Sequence, residues 1–422
     1  MTDLDAVDYF TDPSLVPDPH RYFDHLRAQG PVVREPHHGV VAVTGYDEAM
    51  ALYKDVDSYS SCIAVGGPFP PLPFEPSGED ITELIEAHRT QMPLHEHMVT
   101  MDPPNHTRAR SILSRLLTPA RLKANQDFLW QLADQQLDEF IERGECEFLE
   151  AYSKPYALLA VANLLGVPEE DHKEFRAVLA HSHTVGNLDH DPAAINPLEF
   201  LDEKFSGYIE DRRREPRGDV LSDLASAKFP DGSTPDVVEV VRAATFLFGA
   251  GQETTAKLLG AAMQILCDKP DLQQTLRDNV SLIPAFIEET LRMEAPVKTT
   301  FRLARKSTHI GDIEIPAGTT VMVCPGAINR DPNRFENPHE FEVDRRNVRE
   351  HIAFARGVHT CPGAPLARVE GRVSLERMLD RMADIRASES HHGPADRRQY
   401  SYVQTYILRG LNELHIQFTP IE

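Results

Sequence analysis

"FARGVHTCPG", Phe354 to Gly363, sets one cysteine among glycines, a histidine and a proline. The other four cysteines, Cys62, Cys146, Cys267 and Cys324, are scattered, form no C-x-x-C pair and make the total odd. That usage fits a reducing compartment, with those four as small core or surface residues rather than a disulfide framework. Downstream of Cys361, "APLARVEGRVSLERMLDRM" spaces Leu366, Val369, Val373, Leu375 and Met378 as an amphipathic helix. A helix beginning just after a thiol puts its partial positive charge and unpaired N–H groups at the sulfur, which favours thiolate. Pro362 has no N–H and suits a first turn, so the amides left to reach the sulfur are those of Gly363 and Ala364. Two roles require an anionic sulfur: a nucleophile paired with a base, or a metal ligand. His359, the nearest candidate base, is two residues away and would share only one face of an extended loop with the cysteine.

A chain of 422 residues with 41% hydrophobic content can bury a large core. Its formal net charge of -23 opposes sequence-independent nucleic-acid binding, which needs a basic footprint. The first thirty residues lack the basic start and apolar run of a signal peptide, and no window approaches the roughly 20 apolar residues that span a bilayer. A cytoplasmic protein with no membrane or nucleic-acid partner is expected. No repeat or linker tract interrupts the chain, so one domain over 1–422 is the simpler organisation.

Helical patterns dominate. One helix is expected from Pro119 to a stop at Gly144, and "PDVVEVVRAATFLFGAGQETTAKLLGAAMQILCDKP", Pro235 to Pro270, reads as a central buried helix roughly 50 Å long. Its polar centre, "GAGQETT", is costly for a helix: each glycine loses about 1 kcal/mol against alanine, and Thr254 can bond back to a carbonyl. "SCIAVGGPFPPLPFEP", from Ser61, reads as a long apolar loop suited to a lid or pocket wall. Strand-like pieces are short: Val40 to Thr44, Ile310 to Val323 and Asn412 to Phe418. The fold expected is mainly α with small β-sheets.

"FARGVHTCPG" resembles the haem-binding loop of cytochromes P450, F-G-x-G-x-H-x-C-x-G, matching every fixed position but one. The resemblance implies the P450 fold, with haem b between the long central helix and the helix following the cysteine loop. It implies Cys361 as axial thiolate, Phe354 beside the sulfur, Gly357 in the tight turn, His359 on a propionate and Gly363 against the cofactor. Ala355 stands where glycine is usual, and a methyl there is expected to require an ordinary φ. "GAGQETT" is similar to the family's oxygen-binding groove, which places Ala250 at the cofactor and Glu253 and Thr254 as the acid–alcohol pair that supplies protons for O–O cleavage. That pair argues against a purely peroxide-driven enzyme. "MDPPNHTRAR" and "FRLA" resemble the segments that give the propionates His106, Arg110 and Arg302. Glu289 and Arg292 resemble the structural E-x-x-R pair, whose third arginine is replaced by Glu340 here, with Arg345 or Arg346 as substitute.

By the same resemblance the substrate pocket is formed by the 61–98 loop, the region from His181 to Phe200, Leu247 and Phe248, Val297, Thr299 and Thr300, and the stretch around Val403. The activity implied is a soluble bacterial-type monooxygenase that uses O2 to hydroxylate or epoxidise a hydrophobic terpenoid, steroid, aromatic or fatty compound. The chain has no G-x-G-x-x-G between strand and helix, so electrons are expected from a ferredoxin and an NADH- or NADPH-dependent ferredoxin reductase. Their docking patch is expected among Arg108, Arg115, Arg356, Arg368 and Arg372, on a monomer.

Overall fold

The computed structural model describes residues 3–114, 116–179, 185–189 and 197–421. Its centre is one α-helix, Val237–Asp268, 32 residues long. At 1.5 Å per residue this is about 48 Å. Asp236 and Glu239 form a capping box at its start, and Lys269 and Pro270 end it. Lys154–Leu165, Pro197–Arg214, Ile283–Met293 and the post-cysteine helix Ala364–Arg381 pack around it. The helix expected from Pro119 to Gly144 is broken into Pro119–Ala124 and Gln126–Asp138 with Asn125 as the joint, followed by a short 3-10 turn. Asparagine is a weak helix former, which makes it a natural joint. Gly144 then stops the segment as expected, with φ 67.

The β content is peripheral. Five short strands pair in the order Val32–Arg34, Val41–Val43, Thr320–Val323, Thr300–Ala304 and Tyr59–Ser60, which carries Arg302 and the start of the Ser61 loop to the same side of the core. A second sheet joins Glu145–Glu147, His415–Pro420 and Met382–Ala387. The stretch from Ser61 to Pro76 is irregular as expected, whereas the rest of the 61–98 segment contains the helix Thr82–His88.

Glu289 and Arg292, both fully buried, form a paired bond at 2.7 Å on each oxygen. Arg345, not Arg346, is the third member: its Nε lies 3.1 and 3.2 Å from the two Glu289 oxygens, while Arg346 is exposed. The guanidiniums then bind meander carbonyls: Arg292 those of Asn329, Pro338 and Glu340, and Arg345 those of Glu336, Asn337 and Glu340. Glu340 thus serves through its backbone. Removing one partner of a buried ion cluster leaves an uncompensated charge. Arg345→Met is expected to lose about 3 kcal/mol or more in urea unfolding; a loss below about 1 kcal/mol would contradict this role.

Candidate active site

The cysteine loop is closed by the Cys361 N–H, which donates to the Phe354 carbonyl at 2.9 Å. Gly357 has φ 70, and a Cβ there would lie 2.3 Å from the Tyr53 carbonyl, so only glycine fits. Ala355 corrects the expectation of an ordinary φ: it sits at φ 55, with its N–H donating to the Ile352 carbonyl at 2.8 Å. The loop imposes the left-handed turn, and alanine tolerates it at a cost of roughly 1–2 kcal/mol. Burial pushes the Cys361 thiol up, against the opposing pull of the Gly363 and Ala364 amides and of Arg110 and Arg368. The post-cysteine helix begins at Ala364, with Pro365 rather than Pro362 inside its first turn.

A cluster of cationic side chains stands beside this loop. His106 and His359 lie ring to ring at 4.0 Å, and both ring nitrogens of the buried His106 lack a protein partner. His359 Nε2 is 3.0 Å from Ser61 Oγ, and its other contact is the Met101 backbone. Arg110 donates to the Thr360 carbonyl at 2.6 Å, and buried Arg302 donates to the Phe301 carbonyl at 2.7 Å. Burial, then the charges of Arg302 and Arg110 around the pair, holds the imidazoles neutral, His359 down to about 2 and His106 to about 4. The neighbouring carboxylate, Asp102, is already engaged by Ser60, the Ser61 amide, Arg89 and Arg305. One buried and one half-buried guanidinium and two imidazoles, with no carboxylate of their own among the described residues, have the chemistry of a receptor for an anionic group, and haem propionates fit it.

On the central helix, Ala250 is exposed and Thr254 partly so, though both lie mid-helix in the core. Thr254 Oγ1 donates to the Ala250 carbonyl at 2.9 Å, the back-bond expected, and Glu253 Oε1 pairs with Lys257 Nζ at 2.9 Å. The same stripe, four residues before Ala250, reaches Phe246, whose ring lies 5.7 Å from that of His97. This corrects the pocket reading by one position: Leu247 and Phe248 are buried in an apolar cluster, Phe248 against Phe175 and Phe205. Counting back from Thr254 by fours would have found Phe246. Thr299 is likewise buried, its hydroxyl donating to the Tyr406 carbonyl at 2.6 Å, whereas Val297, Thr300 and Val403 remain partly exposed. Of the His181–Phe200 region, residues 181–184 and 190–196 lie outside the described residues.

The expected docking arginines are mostly committed within the fold. Arg108 pairs with Asp231 and Glu239 over the Phe229 ring, Arg368 with Glu288, and Arg372 with Glu376. Arg356 binds backbone carbonyls of Arg349, Glu350 and His351, so its charge is uncompensated, and Arg115 lies outside the described residues.

Glu370, on the post-cysteine helix, escaped sequence reading because a lone glutamate in a charged helix carries no signal. It is 2% exposed, its side-chain partner is Thr255, and burial raises its carboxyl to about 8. A native acid protonated above its unfolded range makes stability fall as pH rises from about 4.5 to about 8, and level off beyond. Glu370→Gln is expected to remove that part of the slope in urea midpoints measured across this window; an identical slope would refute the buried neutral acid. Ala355→Gly is expected to raise stability by up to about 1 kcal/mol, and a loss would mean the loop does not hold the left-handed turn.

The cytochrome P450 family model matches residues 193–383. Cytochrome P450 144 of Mycobacterium tuberculosis is 32% identical over 395 residues, covering 92% of this chain and 88% of its own. The monooxygenase PikC of Streptomyces venezuelae is 32% identical over 375 residues, with 87% and 85% covered. The substrate-free structure of Mycobacterium marinum CYP150A6 superposes with a TM-score of 0.95 at 66% identity over the whole of both chains. No described helix is long and apolar enough to cross a membrane. With relatives of more than 30% identity matched along most of both lengths, the chain belongs to the cytochrome P450 monooxygenases.

Proposed function

We propose that residues 1–422 form one haem domain in which Cys361 is the axial ligand and His106, Arg110, Arg302 and His359 hold the propionates. Phe354, Gly357 and Gly363 shape the loop, and Ala250 lies against the cofactor. The observation that carries this reading is the cluster of two arginines and two histidines, His106 and Arg302 buried and Arg110 and His359 half-buried, without a carboxylate of its own among the described residues, beside a sulfur whose anionic form the Gly363 and Ala364 amides favour. Haem held there supplies reductive activation of O2 and transfer of one oxygen atom to a substrate, the other leaving as water.

The chain's residues do the rest. Gly363 and Ala364 donate to the sulfur and, with Arg110 and Arg368, favour its anionic form. Thr254 gives its proton to the Ala250 carbonyl, which leaves its oxygen free to accept a hydrogen bond on the open side of the helix. Glu253, ion-paired with Lys257, is the adjacent carboxylate that passes protons inward to Thr254 Oγ1. Phe246, Val297, Thr300 and Val403 are each partly exposed, and as pocket lining they would suit a terpenoid, steroid, aromatic or fatty molecule held by burial. Hydroxylation or epoxidation follows in a cytoplasmic monomer, with electrons from an external ferredoxin and its NADH- or NADPH-dependent reductase. Arg356, whose charge is uncompensated, is the arginine best suited to meet an acidic donor.

The test combines spectra with turnover. Dithionite-reduced protein under CO is expected to show the red-shifted thiolate band, lost in Cys361→Ala. With a ferredoxin system and a compound that shifts the haem spin state, Thr254→Ala is expected to lower product formed per NAD(P)H by about tenfold or more. A thiolate band that survives in Cys361→Ala would overturn the ligand assignment, and unchanged coupling in Thr254→Ala would overturn the proton route.

A further inference from the structure

Glu288 immediately precedes the E-x-x-R glutamate and is 2% exposed. Its carboxylate has two partners on opposite sides of the cysteine loop. Arg368, on the post-cysteine helix, donates from Nε at 2.5 Å and from a terminal nitrogen at 3.0 Å. Buried His351, in the segment leading to the loop, meets Oε2, the oxygen that the Arg368 terminal nitrogen also reaches, at 2.9 Å through Nε2. The Ala353 N–H donates to His351 Nδ1 at 3.2 Å, so Nδ1 is the acceptor and Nε2 carries the hydrogen given to Glu288. Ala353 is the residue before Phe354. The Arg368 guanidinium lies 4.7 Å from the Phe354 ring centroid, and its side chain is 38% exposed on the other edge. A single carboxylate therefore ties together both flanks of the loop and holds a guanidinium over the ring of Phe354, the residue whose carbonyl accepts from the Cys361 N–H.

We propose that Glu288 and Arg368 are positioning residues: Glu288 fixes the loop through His351 and holds the Arg368 charge beside the Cys361 sulfur, where that charge sets the reduction potential of the bound metal. The inference rests on Cys361 as axial ligand. Reduction adds negative charge at the metal–sulfur unit, and a fixed cation stabilises the reduced form more than the oxidised one. A guanidinium not tied to Glu288 would swing its exposed edge into water, where the same charge is screened. The bidentate clamp, not the mere presence of an arginine, is what makes the charge count.

The test is spectroelectrochemical, on the haem-loaded protein. Arg368→Gln keeps a hydrogen bond to Glu288 and loses the charge; the one-electron reduction equilibrium is expected to shift about tenfold toward the oxidised form, which is ~59 mV to lower potential. Arg368→Lys restores the charge and is expected to recover most of that shift. Glu288→Gln is read by hydrogen exchange and is expected to speed amide exchange across 351–361 about tenfold while distant helices are unchanged. A potential in Arg368→Gln equal to the parent's, with the thiolate CO band intact, overturns the tuning role. Unaltered exchange in Glu288→Gln overturns the bracing role, and this variant decides it even if Arg368→Gln fails to take up haem. Absence of a thiolate band in the parent protein would instead refute the ligand assignment on which the inference rests.

Discussion

An anionic sulfur inside a protein is stable only where donors and cations replace the water it gives up. In this chain that requirement organises everything around Cys361. The helix that follows offers two amides, Arg110 arrives from the Asn105–Leu113 helix by binding the carbonyl beside the cysteine, and Arg368 arrives from about one turn further along the post-cysteine helix. Burial alone drives the thiol toward its neutral form, so each of these groups works against the solvent exclusion the site needs.

The same reasoning explains why the cations are so differently supported. Arg292 and Arg345 are satisfied entirely within the protein, by one carboxylate and a ring of carbonyls, and their role is to hold a meander in shape. His106, His359, Arg110 and Arg302 are held by carbonyls, a hydroxyl and one another, with no carboxylate of their own. The first group closes on itself, and the second keeps the buried His106 ring nitrogens without a protein partner.

What was legible in the sequence is what local pattern encodes. The cysteine loop and the long apolar helix with its polar centre declare themselves within a few residues, because spacing along a helix or turn is itself the geometry, whereas Glu289 and Arg292 stand out from other pairs of that spacing only by their place before the cysteine loop. What was not legible depends on contacts between distant segments. Arg345 and Arg346 are equivalent in the sequence, and only the path of the meander buries one. Ala355 adopts a left-handed φ because the closure between Cys361 and Phe354 demands it, a constraint no single-residue preference reveals. Leu247 and Phe248 were placed in the pocket by resemblance, but both are buried in an apolar cluster, Phe248 against Phe175 and Phe205. The docking arginines were counted as free charges, and most had partners supplied from elsewhere in the chain.

Glu288 and Glu289 are neighbours on one helix, so their side chains leave the axis about 100° apart. One grips the meander and the other grips both sides of the cysteine loop. Two grips at different azimuths on one cylinder act as a rotational lock: turning the helix to ease either set of bonds would strain the other. Sliding is opposed as well, since Arg368 holds Glu288 by two nitrogens and Arg345 Nε reaches both oxygens of Glu289 from other segments. The short Ile283–Met293 helix thereby becomes a fixed datum against which two irregular segments, neither able to define its own position, are measured into place.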